Sequence, residues 1–209
     1  MALFAVFAVV SCDKFKSATE AISGVIKMDT KECIEKVSEI VQENVNTNDW
    51  KIVKISISED CSKDDMLENK FSSISVDLVD KNGEAYTQTY IYNPSVITDL
   101  STASTTFYKA APKDIEPIDV KKALDPERVL KVINDAKSMI PQEYEFLALE
   151  SYEITNTDKD CTEEFTFAVV DKDKNKRYVS NAGKKSLVYY ELDFKVNNDG
   201  KLTCRELEE

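Results

Sequence analysis

The side chains best equipped for chemistry in this 209-residue chain are thiols and carboxylates: it carries five Cys, 39 Asp plus Glu, and no His. Without imidazole there is no Ser-His-Asp or Cys-His nucleophile pair, no imidazole general base, and no His-ligated zinc or iron. The four glycines (Gly24, Gly83, Gly183, Gly200) are scattered, so no Gly-rich loop cradles a phosphate. No cofactor and no metal site is expected. "DKDKN" starts like a calcium loop, with Asp171, Asp173 and Asn175 alternating. Lys176 then stands where such a loop needs Gly, and Ala182 where it needs Glu, so a solvated turn is expected. Carboxylate-only hydrolysis of a carbohydrate survives, because it asks only for two acids facing each other across a cleft.

The first thiol, Cys12, stands behind nine consecutive apolar residues, Ala2 to Val10. That run is short of the roughly 20 residues a spanning helix needs. It fits the apolar region of a secretory signal, about 7–15 residues. Val9-Val10-Ser11-Cys12 resembles a bacterial lipobox. The resemblance implies cleavage before Cys12 and diacylglycerol on its thiol. Residues 1–11 would then be a signal peptide and residues 12–28 a lipid-anchored tether. The implied address is the bacterial cell envelope, with the N-terminal lipid as the contact to membrane. Four thiols remain, Cys33, Cys61, Cys161 and Cys204. In an exported chain an even remainder reads as two disulfides with three pairings open; buried free thiols are the alternative.

Lys and Arg number 27, for a net charge of −12. Such a field repels phosphate backbones, so nucleic acid is not an expected partner. It also disfavours docking of the folded body on anionic lipid, which suits attachment by an acyl chain.

Two stretches read as amphipathic helices. In "DTKECIEKVSEIVQENV", Cys33, Ile34, Val37, Ile40 and Val41 fall on one helical face, and Asp29 with Glu32 has capping-box spacing. In "DPERVLKVINDAKSMIP", Asp125 is the expected N-cap, Pro126 suits the first turn, and Pro141 ends the run. Val129, Val132, Ile133, Ala136 and Ile140 form its apolar stripe. Each helix precedes alternating strands. "WKIVKISIS", "FSSISVDLV" and "EAYTQTYIY" follow the first, with "DKNG" as a turn. "YEFLALESYEI", "FTFAVVD", "KRYVS", "SLVYYELDFKV" and "KLTCREL" follow the second. Cys61 and Cys161 occupy equivalent places between the first two strands of each set.

The pattern predicts an α+β protein of two tandem modules, each one helix packed on a curled antiparallel sheet of three to four strands. The first module spans 29–110 and the second 125–209, with 111–124 as linker. This layout resembles cystatin-like folds and the tandem modules of PepSY-like and β-lactamase-inhibitor-like periplasmic proteins. Tyr86, Tyr90 and Tyr92 alternate along one strand, either as core or as an exposed platform for an envelope protein or glycan. The functional expectation is a non-enzymatic, membrane-anchored binding protein. The alternative is a carboxylate-dependent hydrolase of envelope carbohydrate.

Overall fold

The computed structural model describes residues 25–59, 67–104, 108, 110–157, 161–181 and 184–207, with side chains 180–185 set aside. Cys12, Cys61 and the expected signal and most of the tether lie outside the described residues. The chain is α+β. Helix α1 (Lys31–Asn44) is followed by β1 (Lys51–Glu59), β2 (Phe71–Val79), β3 (Ala85–Ile91) and two short strands, β4 (Val96–Ile97) and β5 (Ser101–Thr102). A single turn, α2 (Val120–Ala123), leads into α3 (Pro126–Met139). Then come β6 (Tyr144–Asn156), β7 (Cys161–Asp171), β8 (Tyr178–Asn181), β9 (Lys184–Leu187), β10 (Tyr190–Val196) and β11 (Leu202–Cys204).

Both long helices start where short polar side chains can take up orphan N–H groups. Asp125 Oδ1 accepts from the Arg128 N–H at 2.8 Å, with Pro126 as first helical residue, as the sequence implies. For α1 the cap is Thr30, whose hydroxyl accepts from the Cys33 N–H at 3.3 Å. Asp29, the expected cap, is drawn into other bonds described below. The "DKNG" turn forms as read, with Gly83 at φ +85° and Asp80 Oδ1 accepting the Asn82 and Glu84 N–H groups.

The sheets of the two expected modules do not stand apart. Nine strands form one antiparallel sheet in the order β11-β10-β7-β6-β1-β2-β3-β4, with β5 also on β3. The join is β1 against β6, from Lys54 opposite Thr155 to Ser58 opposite Ser151. Edge strands left open invite such pairing, because every unpaired N–H and C=O along them seeks a partner. α1 and α3 pack on one face of this sheet and touch each other. Beneath them lies one core. Ile34, Val37, Ile40 and Val41 of α1 meet Ile55, Ile57, Ile74 and Val76. Val129, Ile133 and Ala136 of α3 share that core with Leu149, Tyr152, Phe165, Phe167 and Phe194. Under α3 the rings stack: Tyr152 on Phe165 at 5.3 Å and Phe165 on Phe194 at 5.2 Å between centroids.

The segment expected as a linker is built into the fold. Ile115 packs with Val53, Val79, Ala85 and Ala103 on the sheet face away from the helices. Ile118, Val120 and Leu124 then enter the main core, and the Ile118 N–H bonds Ile52 O at 2.7 Å. Tyr108, Ala110 and Ile115 thus cover part of the β1–β3 half of the far side, and the chain crosses to the helix side between Ile115 and Ile118. A second departure concerns β8. "KRYVS" does not return along β7; β8 pairs only with β9 as a separate two-stranded sheet, and β10 takes the place beside β7.

Candidate functional site

Strand alternation aims Ser151 and Glu153 of β6, Glu164 and Thr166 of β7, Asp193 and Lys195 of β10, and Thr203 of β11 at the face opposite the helices. At one end of this half Leu67 and Tyr189 pack over Ala148 and Ala168. With Arg205, the polar residues of β6, β7, β10 and β11 just named line an open groove of about 430 Å³. Its charges are matched pair by pair: Lys54 with Glu153 at 2.7 Å, Lys195 with Glu164 at 2.5 Å, Arg205 with Asp193 at 3.1 Å. The Thr166 hydroxyl donates to Asp193 at 2.9 Å, and the Thr155 hydroxyl to Glu153 at 2.9 Å. The groove therefore offers hydroxyls and compensated charges, a surface suited to hydrogen bonding with a polar ligand.

One carboxylate nearby behaves differently. Glu150 is the extra residue where β6 bulges between Leu149, opposite Phe167, and Ser151, opposite Thr166. Its Oε1 is buried with no hydrogen-bond partner. Burial, and then the charges of Glu191, Glu59 and Asp193, push its pKa up to about 7. Sequence reading missed it, since nothing in "LALESYEI" marks a bulge. Among the described residues no group of three or more His, Cys, Asp or Glu is placed to hold a metal ion.

The tyrosine row is part of the core rather than a platform. Tyr90 is 1% exposed and Tyr92 7%, both under α1, with Tyr92 against Phe71 at 5.0 Å. Tyr86 is half-buried and meets Trp50 edge-on at 5.6 Å. On the covered half of the far face, Tyr108 and Thr87 both donate to Asp77 of β2, at 2.8 and 2.5 Å.

Cys33, Cys161 and Cys204 carry free thiols, so no disulfide joins any of them. Cys33 faces the core from α1 and Cys204 is buried on β11, while Cys161 is exposed at the start of β7. They stand on three different elements, and Cys33 and Cys204 both belong to the main core. Two polar networks tie the helices to the sheet. Glu163 on β7, 7% exposed, pairs with Arg128 of α3 and accepts the Tyr152 hydroxyl, while Arg128 also reaches Ala123 O. Asp29 accepts from Lys137 of α3 at 2.5 Å and from Asn69 at 2.5 Å.

No family model, curated protein or solved structure matches this chain.

Proposed function

We propose that the protein is an exported, lipid-anchored binding protein of the bacterial cell envelope, held by lipid at Cys12 and engaging a polar partner through the open half of its sheet. The observation that carries the binding reading is the groove over β6, β7, β10 and β11. Each of its carboxylates is already matched to a Lys or Arg, which suits recognition better than proton transfer. The anchor reading rests on the lipobox-like Val9-Val10-Ser11-Cys12. Among the described residues no helix is long and apolar enough to cross a membrane. We read the layout as two helix-plus-sheet units joined edge to edge, α1 preceding β1–β5 and α3 preceding β6–β11. The antiparallel meeting of β1 and β6 supports it.

Two measurements test this. The intact mass of protein extracted from its native membrane should correspond to a chain starting at Cys12 plus diacylglycerol; a soluble chain retaining residues 1–11 refutes the anchor. Envelope glycan and envelope protein fractions should bind the wild type and fail to bind Thr166→Trp, which fills the groove. Equal binding by both refutes the groove.

A second reading has one observation in its favour. Glu150, titrating near neutral pH with Glu191 and Asp193 close by, is fitted to donate a proton in carbohydrate hydrolysis. Loss of a measured glycosidase activity in Glu150→Gln, with wild-type binding retained, would favour it.

A further inference from the structure

The net charge of −12 hides a segregated distribution. From Lys172 to Leu187 stand six Lys or Arg and one Asp, a local charge of +5, so the remainder of the chain carries −17. The described residues of this segment form the turn after β7 followed by β8 and β9. The hairpin pairs with no strand of the main sheet. Tyr178 lies opposite Leu187 on one of its faces and Val179 opposite Ser186 on the other. Tyr178 is 46% exposed, Val179 54% and Leu187 37%. Lys172, Lys174 and Lys176 are exposed in the turn below. A lone two-stranded hairpin is marginal in water, and this one leaves its apolar side chains partly exposed. Its base is nevertheless fixed: Arg177 pairs with Glu145 at 2.7 Å and donates to Asp171 O, and the Val188 N–H bonds Arg177 O.

The place of the hairpin is as telling as its composition. It leaves β7 at Asp171, beside the start of β6 at Tyr144. That is the end of the sheet where β1 finishes and β2 begins, because β6 runs antiparallel to β1. The described chain enters at the same end: Ile26 O accepts the N–H of Phe71, the first residue of β2, and Val25 is 64% exposed. From Cys12 to Val25 the chain spans at most about 45 Å even when fully extended. A lipid on Cys12 would hold this end of the sheet towards the bilayer.

We infer that the β8–β9 hairpin and its lysine-rich turn form a second membrane contact, which lays Tyr178, Val179 and Leu187 into the interface of an anionic bilayer while the flanking Lys and Arg meet the lipid phosphates. Interleaved apolar and cationic side chains suit that interface, where ammonium groups stay wet and their neighbours are buried. One acyl chain alone gives reversible attachment, and a basic patch is the usual second signal. The inference rests on the anchor reading for its orientation, but the charge and exposure of the hairpin stand without it.

The test uses the full chain carrying Cys12→Ser, which cannot be acylated, and is therefore independent of the mass measurement above. Sedimentation is compared with vesicles of pure phosphatidylcholine and with vesicles containing one third phosphatidylglycerol. Partition of the apolar residues 2–10 contributes to both and cancels in the comparison. Binding should be roughly tenfold stronger to the anionic vesicles, fall with added salt, and fall roughly tenfold in the Lys174→Glu/Lys176→Glu variant. Val179→Asp should weaken it without changing the melting temperature. Equal binding to both vesicles, or an unchanged double variant, overturns the inference. So does a concentration-dependent dimer that the double variant abolishes, which would assign the hairpin to a second copy of the chain.

Discussion

The side-chain oxygen of Asn69 accepts the backbone N–H of Leu149 at 3.0 Å, across 80 residues of sequence and at the point where β6 bulges. The same residue donates its own N–H to Glu59 at 2.6 Å and its amide to Asp29 at 2.5 Å. Asn69 can do this because its backbone is left-handed, at φ +59°, which Asn tolerates better than most residues. A ladder N–H left over by the bulge is thereby satisfied from a neighbouring loop.

Replacing Asn69 should be costly for two separable reasons. Asn69→Ala should lower stability by about 2–3 kcal/mol, through unsatisfied buried groups and a strained φ. Asn69→Gly relieves the strain and should cost less. Urea unfolding of the two variants measures the difference; equal losses would mean that the backbone strain is negligible.

The pair of Arg128 and Glu163 poses a question of buried charge. Arg128 is held above its already high pKa by Glu163, against the opposing effect of burial. Arg128→Met should destabilise by about 2–4 kcal/mol, because it leaves the buried Glu163 without its cation. The double variant Arg128→Met/Glu163→Leu should recover much of that loss. Urea midpoints for the single and double variants decide; failure to recover would put the cost in packing instead.

Thiol accessibility should separate the three described cysteines. Cys161 is exposed, although burial of its sulfur and then Glu163 hold its pKa above the usual thiol value. Burial, then Asp29 and Glu32, drive Cys33 far higher. Alkylation of the native protein followed by peptide mapping should modify the Cys161 peptide, faster as pH rises. Cys33 and Cys204 should react only on unfolding. Modification of Cys33 at the rate of Cys161 would contradict its place in the core.

Much of this fold is written locally. The helices announce themselves by a 3.6-residue apolar period and, for α3, by Asp125 and Pro126; β1 and β2 announce themselves by alternation. What joins them is not local. Nothing in "KISIS" states that Lys54, Ser56 and Ser58 will lie beside β6, since a strand edge looks the same whether it meets water or another strand. Thr30 and Asp29 are both good caps on paper, and only Lys137 and Asn69, far along the chain, decide between them. The groove was equally hidden, because its residues come from four strands and each reads singly as an ordinary solvated position.

Glu150 should leave a signature in the pH dependence of stability. Its pKa is raised from 4.5 to about 7 in the folded state, so the folded state holds this proton more tightly than the unfolded chain. The stabilisation is therefore fully present below about pH 4.5 and is lost as pH rises towards 7. Solvent around this half-buried group reduces the size of the effect to about 1–2 kcal/mol. Glu150→Gln binds no proton in either state, so its stability should change less between pH 5 and pH 8, by about that amount. At pH 8 the variant should be the more stable protein, having shed a buried charge that faces Glu191, Glu59 and Asp193. Denaturant unfolding of both proteins at the two pH values reads this directly. Identical pH dependence would show that Glu150 titrates as an ordinary carboxylate, and would remove the observation that favours hydrolysis.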